Sequence, residues 1–334
     1  MVRMEVLVPL SHIGPGHAPI ALIPALGYDR DEGLEVVNTP VGLPSRALEG
    51  VVAGTGDATF VNTAFGFAAR DVGKPFKMFY AFARRMNRSF AVAIDSPIAT
   101  IADLKGARIA LHYNDLGYVA RAALTDEGVD PDRDVTFVDW RGSFDEAEGV
   151  VGAMRGRAID AVWLLDVAYG LFPAAGLALR RLPSRTLDRL TPSASIYAHD
   201  RALSEEAEKF AAYGRALAKA TLFTMCNPEA AVRLVWKHIG VTRPQPAAEA
   251  SVLRRDLAVL QGRLENLGIG DVSTERWGAI SEAEIAGWQE FMLATRAIRN
   301  RRPPGEYFDN SLVSRFNAFD VHAVVAAAQS FALS

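Results

Sequence analysis

The sequence predicts an α/β protein of two similarly built lobes, with the C-terminal helices wrapped around the first. Three observations carry this. β-rich runs alternate with amphipathic stretches through the first 190 residues, the pattern of βαβ units feeding a mostly parallel sheet. One short pattern occurs twice, at residues 48–60 and 151–163: an apolar helix, a glycine, a short gap, then Asp-Ala and a strand. Beyond residue 199 the sequence reads as helix almost throughout. A chain of 334 residues, half of them hydrophobic, is long enough to bury a core in each of two halves.

In chain order, residues 6–8 form the opening strand, which ends in a loop of turn formers at 11–16 before the apolar stretch 20–26. Gly27 and Gly33 bracket a charged turn, and residues 34–37 supply the second strand. Ser45 is placed to cap a helix that stops near Gly54. Residues 58–61 are the third strand, a short helix runs to Arg70, and residues 76–82 are the fourth strand. The run 90–94 is apolar and reads as buried. From Ile98 the pattern restarts, with strands at 108–111, 135–138 and 161–165 and helices at about 116–127 and 144–155. Residues 193–198 look like a returning strand. Ser204 then caps a helix to about Thr224, Asn227-Pro228 opens the next, and long helices follow at 247–264 and 281–297, the last with a Ser281/Glu284 capping box. Lobe 1 is accordingly expected at 1–94 plus 195–334 and lobe 2 at 95–194, with hinge strands near 90–97 and 190–198.

Composition narrows the function. With 36 Lys and Arg against 39 Asp and Glu, the chain has no basic excess for nucleic acid or an anionic bilayer. No apolar stretch reaches the 18 or so residues of a membrane span, so direct membrane insertion is not expected. One cysteine, Cys226, excludes an internal disulfide and a cysteine-based zinc site, and it reads as a buried, inert thiol. The six histidines are scattered without metal-ligand spacing, and dinucleotide, P-loop, zinc-protease and nucleophile-elbow motifs are missing. No cofactor is implied.

In open α/β sheets ligands collect at the carboxyl ends of strands. That rule selects His12, Gly14 and His17 after the first strand, Leu43, Ser45 and Arg46 after the second, Asn62 and Thr63 after the third, and residues 84–87 after the fourth. In the second half it selects residues 112–115, Trp140, Arg141, Trp163 and Asp166. Of these, His12, Asn62, Arg84, Tyr113, Asn114, Trp140, Arg141 and Trp163 are expected to line a cleft for a small aromatic or heteroaromatic, anionic molecule held by stacking and a few directed hydrogen bonds. Asp57 and Asp160 read as partners of turn amides rather than of a ligand.

Several segments resemble the type II solute-binding proteins of ABC importers, in particular the nitrate, alkanesulfonate and thiamine-pyrimidine group. They are Gly33-Leu34-Glu35-Val36, residues 53–58, Asp95-Ser96-Pro97-Ile98, residues 102–109 with their Asp-Leu-Lys-Gly turn, residues 156–163, and the span from Trp288 through Asn310-Ser311-Leu312. The resemblance implies a periplasmic-binding-protein type II fold: mixed sheets flanked by helices in two lobes that close on a ligand about crossover strands. It implies a small organic ligand, an ABC permease as partner, and a periplasmic location if a leader was removed, otherwise a cytoplasmic one.

Residues 95–98 and 310–312 also resemble, more distantly, the aromatic-sulfinate desulfinase of the same fold, whose nucleophile is a cysteine in the loop after the first strand. That loop here carries Ser11-His12-Ile13. The pyrimidine synthase of fungal thiamine formation also shares the fold and anchors pyridoxal phosphate through a lysine near the third strand. Residues 59–67 here hold neither lysine nor histidine. The alternative to a binder is thus an intracellular lyase, desulfinase-like or decarboxylase-like, acting on an aromatic acid through His12 and an arginine.

Overall fold

A computed structural model describes residues 1–10, 13–111, 117–140, 147–239, 244–272 and 275–332. In chain order its strands are β1 (Val2–Val8), β2 (Leu34–Pro40), β3 (Ala58–Asn62), β4 (Phe76–Ala83), β5 (Arg88–Ala93), β6 (Arg108–Leu111), β7 (Thr136–Asp139), β8 (Ala161–Leu165), β9 (Leu179–Arg181) and β10 (Ala194–His199). They form two five-stranded mixed sheets, ordered β2-β1-β3-β10-β4 and β7-β6-β8-β5-β9.

The two sheets have one topology. In each, the first strand pairs in parallel with the second and third, and the fourth position is an antiparallel strand that has just crossed from the other sheet. β5 arrives from β4 and pairs with β8 and β9, while β10 returns and pairs with β3 and β4. The strand at 88–93, read from sequence as the end of the first lobe, therefore belongs to the second sheet, and the outward crossing is residues 84–87. An apolar run records that a strand is buried but not which sheet it joins, and β5 pairs with strands more than 70 residues later in the chain.

The repeated Asp-Ala motif has a physical cause. Asp57 Oδ2 accepts from Glu5 N at 2.7 Å, and Asp160 Oδ2 accepts from Arg108 N at 2.9 Å, each across 52 residues of sequence. In both sheets an aspartate ahead of the third strand thus holds a backbone amide of the first, in mid-strand at Glu5 and at the strand start at Arg108. The reading of these aspartates as backbone partners agrees with these bonds.

Around the sheets lie α1 (Ala18–Ala21), α2 (Tyr28–Asp31), α3 (Pro44–Ala53), α4 (Thr63–Asp71), α5 (Gly117–Asp126), α6 (Ala147–Arg155), α7 (Arg185–Arg189), α8 (Asp200–Glu205), α9 (Ala207–Cys226), α10 (Pro228–His238), α11 (Glu249–Leu267), α12 (Glu282–Ala294), α13 (Val313–Phe316) and α14 (Val321–Gln329). Short 3-10 helices Pro15–His17 and Asp166–Leu171 follow β1 and β8. The 20-residue α9 is largely buried against the first sheet, with α13 and α14 on its other side. α12 packs on α4, and its Ser281/Glu284 capping box is formed as the sequence implies. Bridges from Met78 to Phe308 and from Ala81 to Gly278 cover the open edge of β4, removing a row of unpaired backbone groups. α11 differs from the other C-terminal helices, because it contacts both the Pro15–His17 turn and the Asp166–Leu171 helix.

One apolar cluster fills the first sheet and its C-terminal helices. A second runs continuously from Phe67 and Met78 of the first unit through Met86 to Phe90 and Trp163 of the second. The two units are joined by a packed core as well as by the crossing chains.

Candidate functional site

The parallel strands of the first sheet end at Val8, Pro40 and Asn62, and those of the second at Leu111, Asp139 and Leu165. Outward crossing 84–87 leaves the first sheet at Ala83 and enters the second at Arg88, whose register partner is Leu165. The carboxyl ends of both sheets therefore converge on this crossing, the place where open α/β sheets leave loops and unpaired backbone groups for a ligand.

Asn62 ends β3 and caps α4, its Oδ1 accepting from Ala64 N at 3.0 Å. Its Nδ2 donates to Asn87 Oδ1 at 3.1 Å, and Arg88 Nη1 donates to the same oxygen at 3.2 Å. Both asparagines are 6% exposed. Asn87 O in turn accepts from Asp166 N at 2.8 Å, so a single chain of hydrogen bonds links β3, the crossing and the end of β8.

Asp166 is ion-paired with Arg263 of α11 at 3.0 Å, and its Oδ1 accepts from Val167 N at 2.9 Å. Burial raises the Asp166 carboxyl above its ordinary value, opposed by the Arg263 charge, the Val167 amide and Asn266. Ser89 Oγ and Tyr169 OH are 2.7 Å apart, and Arg181 Nε donates to Ser89 Oγ at 3.1 Å with its guanidinium over the Tyr169 ring. Burial pushes the Tyr169 hydroxyl up to about 12, so it stays a neutral donor at physiological pH. Arg181 also donates to Met86 O, and among the described residues its hydrogen-bond partners are neutral oxygens.

Among the described residues, Arg88, Arg181 and Arg263 thus lie about this crossing, Arg263 being ion-paired with the buried Asp166. Of these, Arg181 meets neutral oxygens, and guanidinium forks and amides of this kind can bind the oxygens of an anionic group in fixed directions. On the first-sheet side, half-buried His17 lies 6.2 Å from Phe60, which lies 6.3 Å from Phe82, the two phenylalanines being buried in the first unit's apolar cluster on β3 and β4.

The structure separates the residues singled out from the sequence. Asn62 is at the crossing. Arg84, two residues from Met86, turns away: its guanidinium donates to Glu284 Oε1 at 3.0 Å and Ala279 O at 2.5 Å. Trp163 is fully buried, its ring 4.9 Å from that of Phe90, and forms core rather than an open wall. Alternation along β8 decides this, since a residue in mid-strand reaches the end of the sheet only if the strand stops there. Trp140 follows β7, half-buried near Gly149 of α6. His12, Tyr113, Asn114 and Arg141 lie outside the described residues.

Sequence reasoning passed over Arg88, Arg181, Arg263 and Tyr169. Arg263 leaves a trace in the sequence, since the buried face of α11 carries Asp256, Arg263 and Asn266 at helical spacing. Such a face is recognisable only once its packing partner is known.

Among the described residues no group of His, Cys, Asp and Glu is placed to hold a metal, and no helix is long and apolar enough to cross a membrane. Cys226 is the last residue of α9, and burial raises its thiol above the ordinary value, which disfavours the thiolate. Among the described residues, surface grooves of about 360 Å³ between α3 and α4 and about 640 Å³ between α5, α7 and α12 lie away from this crossing.

Residues 14–231 match the family model described as NMT1/THI5 like. No curated protein matches the sequence. Among solved structures, the periplasmic aliphatic sulphonate binding protein SsuA from Escherichia coli is similar with a TM-score of 0.67 at 16% identity, covering 92% of this chain and 91% of that one. The alkanesulfonate-binding protein SsuA from Xanthomonas axonopodis pv. citri bound to MOPS gives 0.64 at 15% identity, over 93% and 99%. A cysteine-to-serine mutant of DSZB in complex with biphenyl-2-sulfinic acid gives 0.64 at 14% identity, over 94% and 98%. At these identities the likeness is one of fold, and the fold is that of periplasmic binding proteins.

Proposed function

We propose that this chain, which belongs to the NMT1/THI5-like family, binds a small organic anion at the crossing where its two sheets meet. The observation that carries the reading is the convergence of both sheets' carboxyl ends on Arg88, Arg181 and the Asn62–Asn87 pair, a guanidinium- and amide-rich place. Guanidinium and amide donors fit the oxygens of a sulfonate, sulfinate or carboxylate. The half-buried ring of His17, 6.2 Å from Phe60, favours an aromatic or heteroaromatic body. The proteins of like fold whose descriptions name a sulfonate or a sulfinic acid support this anion class. In this reading the protein is the solute-binding component of an ABC importer working on the outer side of the membrane with a permease, its lobes dividing at residues 84–87 and 190–193. His12, Tyr113, Asn114, Trp140 and Arg141 remain, from the sequence alone, the further ligand contacts this reading expects beside Asn62.

For micromolar binding the interaction totals about −8 kcal/mol, within reach of one buried ring and several charge-assisted hydrogen bonds without a covalent step. The test is a thermal-shift screen of MOPS, benzenesulfonate, biphenyl-2-sulfinate and benzoate. A true ligand at about 100 times its Kd adds roughly 2.7 kcal/mol, which for a chain of this size moves the midpoint by about 4 °C. Incubating each compound at catalytic amounts of protein separates binder from enzyme: the reading expects every compound to be recovered unchanged. Sulfite release or decarboxylation would instead establish the lyase.

A further inference from the structure

Helix α11 touches both sheet units and the chain that joins them. On the second unit its backbone lies directly on the Asp166–Leu171 helix: a Cβ on Gly170 would sit 2.2 Å from Val259 N, and one on Gly262 would sit 2.5 Å from Asp166 O. Only glycine permits this approach. On the first unit, Arg263 Nε donates to Gly16 O at 3.3 Å, in the turn after β1. Gly16 is itself wedged, since a Cβ there would fall 2.5 Å from Val167 Cγ1 and 3.4 Å from Val259 Cγ1. The last turn of α11 reaches the crossing, where Asn266 O and Leu267 O accept from Arg85 N at 3.0 Å and Arg84 N at 3.2 Å.

Arg263 sits at the centre of these contacts. It is ion-paired with Asp166 at 3.0 Å, and the two side chains are 5% and 1% exposed. A buried pair of this kind is costly to break by removing one partner, because the other charge is left without water or counter-charge.

We propose that α11 is a brace that holds the two units at the angle they have here, and that the Arg263–Asp166 pair is its fastening. Opening the crevice must part Gly16 from Val167, and α11 cannot follow both. α11 is fixed to the first unit, with Leu260 and Leu267 in that unit's apolar cluster and Asp256 accepting from Trp236 Nε1 of α10 at 2.8 Å, so it is the Arg263–Asp166 pair, with the close contact on the Asp166–Leu171 helix, that would part. Arg263 is thus a positioning residue for both walls of the site. In a two-lobed clamp without such a link, the ligand supplies the differential contacts that favour closure; here the chain itself supplies contacts that hold the angle.

The experiment is solution X-ray scattering of the unliganded protein, with hydrogen exchange at residues 84–87 as the second readout. The unliganded wild type is expected to scatter as the arrangement of the two units in this structure. Arg263→Met and Asp166→Asn are expected to show a larger radius of gyration and at least tenfold faster exchange at the crossing, while Arg263→Lys, which keeps the charge, stays close to wild type. Circular dichroism establishes that each variant is folded. If Arg263→Met does not fold, the wild-type scattering and the near-isosteric Asp166→Asn decide. Wild-type scattering that fits only an opened pair of units overturns the proposal, as do folded variants with unchanged scattering and exchange. No ligand enters the experiment, so a failure of every anion to bind would count against the functional reading and leave the brace standing.

Discussion

Trp163 and Asn62, both chosen from the sequence as ligand contacts, have different physical situations. Trp163 fills core beside Phe90, so Trp163→Ala is expected to lower unfolding stability by about 3–5 kcal/mol in urea titration, whether or not ligand is present. Asn62 caps α4 and holds Asn87, so Asn62→Ala is expected to cost about 1–2 kcal/mol and, in addition, to weaken binding of any anion found by the screen. Strand-end position alone identified both, and it could not tell a side chain that ends a strand from one that lies inside it. Arg84 shows the same limit: its ion pair with Glu284 joins residues 200 positions apart, which no local pattern reveals.

Away from the site, Glu32 is held between Arg215 at 2.6 Å and Lys219 at 2.5 Å. Burial works to raise its pKa, but the two cations outweigh burial and the carboxyl is lowered. A depressed folded pKa gives stability that is present above the ordinary glutamate value, near 4.3, and is lost as pH falls through the folded value. Denaturant titrations from neutral pH into the acid range should therefore show a loss of stability that Glu32→Gln makes shallower while lowering the plateau at pH 7.

Among the elements, the first strands and the long helices were legible from their apolar periods, the run 76–82 becoming Phe76–Ala83 and 281–297 becoming Glu282–Ala294; Asn227 and Ser281 cap their helices, whereas Ser45 and Ser204, expected to cap, lie inside α3 and α8. The three-residue β9 gave no signal, and β5 gave a strand without a sheet. α12 also has a role that capping rules do not express. Glu284 accepts from Ser281 N at 2.7 Å, from Arg84 at 3.0 Å and from Thr191 Oγ1 at 3.1 Å, and Trp288 Nε1 donates to Pro192 O at 2.8 Å. Both crossings between the sheets are therefore tied to the start of this one helix. Glu284→Ala is expected to cost about 2–3 kcal/mol and to speed amide exchange at 84–87 and 190–193 together; loosening of only one crossing would contradict the shared anchor. Gly170→Ala, which places a Cβ against the α11 backbone, is expected to cost about 1–3 kcal/mol by overpacking.

In the whole molecule, two sheets of equal topology each carry an aspartate that grips a backbone amide of the first strand 52 residues earlier. That symmetry was legible as a short repeat because the motif is local to each half. The mutual exchange of β5 and β10 was not, because it depends on pairing between distant strands. The exchange brings the two sets of strand ends to one crossing, and with them arginines that come from β5, β9 and α11.

The account stands on that crossing as the seat of an organic anion. Hydrogen–deuterium exchange of the protein with and without a saturating hit from the sulfonate, sulfinate and carboxylate panel tests it most directly. Slowed exchange should concentrate at residues 62–64, 84–89 and 165–169, on both sheets at once. Protection confined to the groove between α3 and α4 or to that between α5, α7 and α12, with the crossing unchanged, would contradict it.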